Sequence, residues 1–465
     1  MLRLKVAAVL LGPAGVGLIG LFQNLTTAAA GVGSLGISNA ATRQIAEASS
    51  EAESSALAEA RRALAWAGFT LSVLSGLVMW LFCRQISIAV TGSPALSTSV
   101  AWLGVGVSCA VAGMAQVALL TGLRRIGDVA RVTTYAGVLG TLVAVAGLFA
   151  FGDGGLLLFV ISPAVAALLV GQFYVMKLPR SSGPAGLRGT SRQLKALSAL
   201  GFVIMIGGLS AQVSQLAIRA LIQRDLGLVD LGYFQAAVSL GVTYIGFVLA
   251  AMGADYYPRL TSAMRDKEAA CRIVNEQTEV ALMLAGPLLV IMMGMAPWLL
   301  HALYAAEFTA AAPILRWQVL GDFFKLCGWP LGFVMLAAGR GKTYMLIEFG
   351  AAAVAVATVW IALPIVGIEA SGLASLTCYA WYMPTAYLLA RRQTGFRWSR
   401  RALISMAIVA SACLSVFLAA GVDERLGALA SAVCTPLMLL YAWRSIGSAV
   451  GGEVLARIRR KFGAA

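Results

Sequence analysis

The chain has 465 residues, 60% of them hydrophobic and only 12% charged, with a formal net charge of +15. A soluble chain carries about a quarter charged residues. With a mean hydropathy of +0.85, the composition therefore excludes a cytosolic enzyme, a secreted disulfide scaffold and a disordered regulator. What remains is an all-α integral membrane protein. The alternating strands of about ten residues that a membrane barrel needs are missing, and the basic excess reads as cytoplasmic loops that orient helices, not as a nucleic-acid surface.

A helix crosses the bilayer core with about 20 apolar residues. In chain order, such runs fall near 14–38, 63–83, 98–122, 132–151 and 155–176, then near 198–222, 230–256, 277–303, 313–338, 343–365 and 368–390. Two more follow at 403–421 and 426–447. The eleven residues before Gly12-Pro13 hold Arg3 and Lys5 and are too short to cross. They read as the second half of a first helix shortened by a misassigned start, because no small-residue cleavage site of a signal peptide follows. With that remnant the expected total is about fourteen transmembrane segments.

Loop charge tests this count. With both termini in the cytoplasm, the inside loops collect 29 of the 35 Lys and Arg residues, Arg3 and Lys5 among them, while the outside loops hold Arg84, Arg224 and Arg425. A miscounted helix would scramble that separation. Arg219, Arg316 and Lys325 fall within spans.

The expected organisation is a six-helix lobe at 1–177, a Gly/Pro-rich cytoplasmic linker at 178–195 and a second six-helix lobe at 196–390. A basic loop at 391–402, a helix pair at 403–447 and a basic tail at 448–465 complete it. Two helical lobes joined by a linker suit a transporter that rocks one lobe against the other around a central site.

Ionisable residues inside a span are costly and mark candidate functional sites. Span 313–338 contains Gln318, Asp322, Lys325 and Trp329, spaced four, three and four apart and so on one helix face. Gly328 and Pro330 follow, and proline removes a backbone hydrogen bond, which makes them a candidate hinge. Two readings stand side by side. Asp322 and Lys325 either neutralise each other within the packing, or line a water-filled cavity that binds an anion or moves a proton.

Further polar stripes carry Gly208, Gln212, Gln215 and Arg219; Gln235, Ser239 and Thr243; and Gln23, Asn24, Thr27 and Gly31. Each alone also suits interhelical hydrogen bonding, and Arg219 could instead snorkel to the headgroups. Glu348 is placed either to pair with Lys325 or Arg340 or to titrate, while Asp255 is placed to pair with Arg259. The candidate cavity set is thus Lys325, Arg219, Arg316, Gln318, Gln235, Gln212, Gln215, Gln23, Asn24 and Trp329, with Asp322 and Glu348 as coupling candidates.

Enzyme chemistry finds little support. The single histidine, His301, sits at an interface, the outside loops are short and without a DxD-like cluster, and no GxxxxGK[ST] occurs. The seven cysteines show no CxxC spacing and read as packing residues. No metal or cofactor is expected.

Leu11-Gly12-Pro13-Ala14-Gly15-Val16-Gly17 followed by Phe22-Gln23-Asn24 resembles the opening of the prokaryotic polysaccharide flippases, members of the multidrug/oligosaccharidyl-lipid/polysaccharide exporter superfamily. The likeness continues through Gly33, Gly36, Asn39 and Ala46-Glu47, and returns at Gly232-Tyr233-Phe234-Gln235 and Tyr256-Tyr257-Pro258-Arg259-Leu260. It is most specific at Phe308 and Trp317-Gln318-x-x-Gly321-Asp322-x-x-Lys325, with Gly332, Ala338 and Glu348 beyond, a pattern similar to the O-antigen and lipid III translocase branch. It covers roughly residues 8–392, with the last two spans as an extra pair found in some relatives.

The resemblance implies a V-shaped, two-lobed helical fold in the cytoplasmic membrane. It implies that an undecaprenyl-diphosphate-linked oligosaccharide moves from inner to outer leaflet by alternating access, coupled to an ion gradient. Lys325, with Arg219 and Arg316, would hold the phosphates, and Gln and aromatic faces the sugars. Membrane lipids, a polysaccharide polymerase and chain-length proteins are the implied partners. In the relatives the first helix is longer and feeds the cavity, which this start departs from. Two other functions remain open: a drug or metabolite antiporter of the same superfamily, and a non-transporting partner in an envelope polysaccharide complex.

Overall fold

The computed structural model describes residues 2–50, 54–179 and 187–462, and there the chain is helical. In chain order the helices are α1 (Leu2–Gly33), α2 (Ile37–Ser50), α3 (Ser54–Leu81), α4 (Cys83–Thr91), α5 (Ser97–Gly122), α6 (Ile126–Phe151), α7 (Leu156–Met176) and α8 (Leu187–Asp225). Then come α9 (Leu228–Ala263), α10 (Lys267–Gly294), α11 (Ala296–Leu303), α12 (Ala312–Ala337), α13 (Gly341–Val366), α14 (Glu369–Thr394), α15 (Arg400–Val422) and α16 (Glu424–Phe462).

Among the described residues ten stretches are long and apolar enough to cross a membrane, and one of these, Ile126–Met176, holds both α6 and α7. The expected spans at 198–222 and 368–390 are helices of 39 and 26 residues, α8 and α14, outside those ten. The expected fold class, an all-helical multi-pass membrane protein, stands. Arg180 and the Gly/Pro-rich heart of the expected linker, 180–186, lie outside the described residues.

The chain divides into two compact units, residues 1–232 and 233–465. In the first, α3 crosses α5 closely because Gly76 and Gly104 face each other, and Ser72 and Ser108 each donate to the other's carbonyl at 2.8 and 2.9 Å. Helix α2 is amphipathic. It buries Ile37, Ala40, Ala41, Ile45 and Ala48 against Leu64, Leu119 and Leu120, and leaves the Arg43–Glu47 pair outside.

Loop contacts sort the helix ends of this unit. Gln44 donates to the Gln193 carbonyl at 3.3 Å and Arg61 to the Pro179 carbonyl at 2.9 Å, which gathers the basic loops at one end. At the opposite end Arg224 donates to the Ile88 carbonyl of α4 at 2.9 Å.

Helix α1 corrects one expectation. The expected break at Gly12-Pro13 is present: two helices meet across a kink at Gly12 (φ 63°, ψ −167°), with Pro13 next, and the second ends at Gly33. Arg3 was counted with the basic loops. Its guanidinium instead lies 5.3 Å from the Phe159 ring centroid, one turn into α7 from the tight turn Gly152–Gly155, and so toward the opposite end. A guanidinium over an aromatic face gains electrostatic energy where little water competes.

In the second unit α12 is the central helix, packed along α14 and against α10, while α15 and α16 embrace α10. Gly294 of α10 lets α16 approach so closely that a methyl group there would meet Ser431 at 2.3 Å, and Ser431 donates to the Val290 carbonyl at 3.0 Å. At the basic end Asn275 donates to the Cys271 and Arg397 carbonyls at 2.9 and 3.1 Å and accepts from the Ser399 amide at 2.7 Å. Ser399 in turn caps α15 by accepting from the Ala402 amide. Large apolar side chains on α13, Leu346, Trp360, Ile361 and Ile365, stay exposed as a lipid-facing surface requires.

Candidate functional site

Gln318, Asp322, Lys325 and Trp329 fall along α12, and glycines decide what they meet. A methyl group at Gly321 would lie 2.6 Å from the Ser375 backbone, and one at Gly328 3.0 Å from the Tyr382 ring, so α12 and α14 touch nearly backbone to backbone. That approach brings Tyr379 of α14 under Lys325, whose ammonium sits 5.2 Å from the ring centroid. Gly241 of α9 faces the tier above: a methyl group there would meet Gln318 Nε2 at 2.1 Å and Asp322 Oδ2 at 3.3 Å.

Asp322 is 3% exposed, and its Oδ2 has no hydrogen-bonding partner among the described residues. Asp322 and Lys325 influence each other electrostatically without closing into a contact pair. A buried oxygen left without a partner is costly and is retained where it has work to do. The half-buried ammonium on an aromatic ring is a charge that a ligand anion can draw away.

A second tier lies nearer the basic end. Tyr382 rises from α14 over Gly332 of α12, where a methyl group would meet its hydroxyl at 2.2 Å and the Tyr344 ring at 3.5 Å. Tyr344 stands one turn before Glu348 on α13, and both Tyr344 and Tyr382 lie within its electrostatic influence. Glu348 was expected to pair with Lys325 or Arg340 or to titrate; its neighbours here are the two tyrosines. Trp329 packs into an aromatic cluster with Tyr256 and Phe333, at 5.9 and 4.7 Å between centroids, and Tyr256 donates to the Pro330 carbonyl at 2.8 Å. Helix α12 continues through Gly328 and Pro330, and Gly328 is occupied in close packing on Tyr382 and Met383.

The remaining candidates separate. Gln235 donates to Ser239 at 3.0 Å on α9. Arg316 is 6% exposed and bridges Glu424 with two nitrogens while donating to the Met293 carbonyl at 3.3 Å. It thereby ties α12 to α10 and α16. Next to it Trp317 donates to Glu369 at 3.0 Å and stands on Phe417.

In the first unit Gln23 and Asn24 are half-buried on α1, and Asn24 Oδ1 lacks a hydrogen-bonding partner among the described residues. On α8, Gln212 and Gln215 are half-buried. Arg219 is buried, not snorkelling, and donates to the Gln215 carbonyl and side chain at 3.0 and 2.7 Å. The Asp255–Arg259 pair forms at 3.1 Å. Among the described residues no cluster of three or more His, Cys, Asp or Glu could hold a metal ion.

Sequence reasoning missed Tyr344, Tyr379, Tyr382 and Glu424. The tyrosines left a signal, since Tyr379 and Tyr382 stand three apart within one span and so on one face. Glu424, 108 positions from Arg316, left none.

Residues 1–264 match the family described as "Polysaccharide biosynthesis protein". The chain belongs to this family. It is 24% identical over 356 residues to the lipid III flippase of Escherichia coli (strain K12), covering 74% of this chain and 82% of that protein, and equally to the lipid III flippase of Shigella flexneri. Among solved structures, the fold is similar to the inward-facing conformation of a multidrug resistance transporter of the MOP superfamily (TM-score 0.71, 14% identity, 85% of this chain and 93% of the other). It is also similar to the lipid II flippase MurJ in an inward closed conformation (TM-score 0.65, 12% identity, 93% and 97%). Family membership and fold agree with the resemblance carried by the sequence motifs.

Proposed function

We propose that this protein is a flippase for a lipid-linked oligosaccharide, moving an undecaprenyl-diphosphate-borne saccharide from the inner to the outer leaflet of the cytoplasmic membrane, with the basic loops on the cytoplasmic side. The observation that carries the reading is Lys325, a cation within a membrane-spanning helix that rests on Tyr379 without a carboxylate in contact among the described residues. A diphosphate cannot enter hydrocarbon unaided, whereas its prenyl tail need not leave it. A compact ammonium serves as a point charge for phosphate.

Within the second unit Lys325 holds the diphosphate, and Gln318, Gln235 and Trp329 offer amide and aromatic surface to sugars. In the first unit Gln23, Asn24, Gln212, Gln215 and Arg219 make a polar set of their own. Arg316 is engaged with Glu424 and serves the architecture. Alternating access moves the headgroup, and protonation of Asp322 or Glu348 resets the site. A polymerase and chain-length proteins take the cargo onward.

The test is mass spectrometry of prenyl-diphosphate saccharides in cells that lack the gene or carry single substitutions. Loss of the gene, Lys325→Met or Asp322→Asn should each cause one intact lipid-linked oligosaccharide to accumulate on the inner leaflet, while Lys325→Arg keeps part of the export. Normal surface glycan without accumulation in the Lys325→Met strain would remove the reading. A cationic drug as cargo would oppose the charge of Lys325, and a scaffold role would tolerate its neutralisation.

A further inference from the structure

Helices α14 and α15 are joined by a loop that is basic in sequence and closely tied down in structure. Arg391 and Arg392 end α14, Arg397 lies in the loop, and Arg400 and Arg401 open α15, all of them exposed. Phe396 is fully buried and meets Trp398 edge to face at 4.9 Å between centroids. Trp398 in turn lies parallel to the Tyr387 ring of α14 at 6.1 Å. Asn275 of α10 fixes the backbone on both sides of Trp398, through the Arg397 carbonyl and the Ser399 amide. The arginines therefore project from a scaffold and not from a loose tether.

Their charge has no counterpart within the fold. Among the described residues no carboxylate lies within ion-pair distance of any of the five. Glu279 of α10, an acid that touches this loop, is taken up by the Ser399 hydroxyl at 2.9 Å. Arg400 and Arg401 stand in the first turn of α15, where the helix dipole disfavours a cation. Like charges gathered in this way repel one another, and an anion from outside the chain relieves that repulsion.

The depth of the charge follows from the pairing of α15 with α16. The Ser405 and Tyr441 hydroxyls meet at 2.8 Å. The two helices run antiparallel, so Leu403 stands level with Trp443 and Ala402 with Arg444. Trp443 is 80% exposed, and a tryptophan on a lipid-facing surface marks the boundary between hydrocarbon and headgroups. Arg444, also exposed and without an acidic partner among the described residues, adds a cation at that level. Away from the headgroups, Arg400 heads a face of α15 that continues through Ile404, Ala407, Leu414 and Leu418, all exposed. Cations at headgroup level above an open apolar face call for a ligand with an acidic head and acyl chains. The membrane's own acidic phospholipid has that form and surrounds the face.

We infer that Arg400, Arg401 and Arg444, with Trp443 beside them, form a headgroup site for an anionic phospholipid on the lipid-facing surface of the α15–α16 pair. The guanidinium forks match the phosphodiester oxygens. The Trp443 N–H is a donor at the depth of the ester groups, and Leu403 and Ile404 lie along the acyl chains. None of these residues belongs to the Lys325 site, so the inference adds a second ligand of a different kind. Its assignment to the inner leaflet rests on the orientation proposed above.

The test uses the full chain in nanodiscs of phosphatidylcholine that carry a small share of brominated phosphatidylglycerol, or of brominated phosphatidylcholine in its place. Bromine quenches tryptophan fluorescence on contact, and the difference between the wild type and Trp443→Phe isolates Trp443. Phosphatidylglycerol should be preferred beside Trp443 by at least about fivefold, the scale that one basic residue at a membrane surface provides. Arg400→Gln, Arg401→Gln and Arg444→Gln together should erase the preference and melt as the wild type does, since all three side chains are exposed. Lysine at the three positions should keep most of it. Should the triple variant fail to fold, the three single substitutions decide, each lowering the preference. Equal quenching by the two lipids in the wild type, or a preference that survives the glutamine variants, would overturn the site. Displacement of phosphatidylglycerol by inorganic phosphate at constant ionic strength would assign the arginines to a soluble anion, and displacement by an equal share of undecaprenyl diphosphate would assign them to the cargo; either would overturn it too. The readout involves no transport, so it stands or falls separately from the flippase reading.

Discussion

Replacing Gly321 by alanine puts a methyl group 2.6 Å from the Ser375 carbonyl carbon, 2.7 Å from its oxygen and 2.8 Å from the Leu376 nitrogen. All three are backbone atoms of α14, so no side-chain rotation relieves the contact, and reaching an ordinary 3.4 Å separation forces the helices about 0.8 Å apart. Overpacking of this kind costs about 1–3 kcal/mol, and a rigid backbone obstacle puts it near the upper end. The helix-propensity gain of alanine over glycine returns about 1 kcal/mol, leaving a net loss near 2 kcal/mol.

Gly246 of α9 is the matched control, because nothing lies within 4 Å of a methyl group there. Alanine at Gly246 should gain up to about 1 kcal/mol. At roughly 2–4 °C per kcal/mol for a unit of this size, the two variants should melt about 6–12 °C apart. Thermal unfolding in detergent with a thiol-reactive dye reads this directly, since Cys327 and Cys413 are buried until the second unit opens. Should Gly321→Ala melt as high as Gly246→Ala, the close α12–α14 approach, and with it the seating of Lys325 on Tyr379, is wrong.

Three further outcomes follow from the same geometry. Glu424→Gln leaves the buried Arg316 with a neutral partner; because Glu424 is itself 49% exposed, the loss should be about 1–2 kcal/mol and not the larger cost of a fully buried pair, and the exchange Arg316→Glu with Glu424→Arg should restore less than half of it in a thermal melt. Gly12→Ala forces a side chain into a conformation (φ 63°, ψ −167°) that favours glycine, at a cost of about 1–3 kcal/mol, read as lowered thermal stability, while Gly31→Ala, with open space around it, should like Gly246→Ala gain up to about 1 kcal/mol. Asn275→Ala removes the side chain that holds Arg397 and Ser399, leaving part-buried backbone groups unpaired for about 1 kcal/mol, and hydrogen exchange should rise at the Ser399 and Ala402 amides while α12 stays protected.

Much of this protein was legible in one dimension. A membrane helix must satisfy its backbone internally, so its signature is local: a long apolar run, bounded by charged or turn-forming residues. The α12 face was legible for the same reason, because residues four, three and four apart on a helix share a side whatever it packs against. The stretch through Asn39 and Ala46-Glu47 was recognisable by resemblance, and it lies in the helix α2 whose apolar side enters the first unit. Less legible was α1, whose Arg3 reads as a loop cation and lies over the Phe159 ring.

By itself, then, the sequence determined the helical class, the segregation of basic loops and the residues presented by each helix face, since all of these follow from periodicity and solvent preference within a single segment. The tertiary structure alone decided which faces meet. Arg316 and Arg219 look like equal candidates for a phosphate until Glu424 and Gln215 are seen to engage them. Lys325 and Asp322 look like a pair until α14 inserts Tyr379 beneath the ammonium. Those choices rest on interhelical register, fixed by backbone approach at Gly321, Gly328 and Gly332, and register is a relation between segments that no single segment encodes.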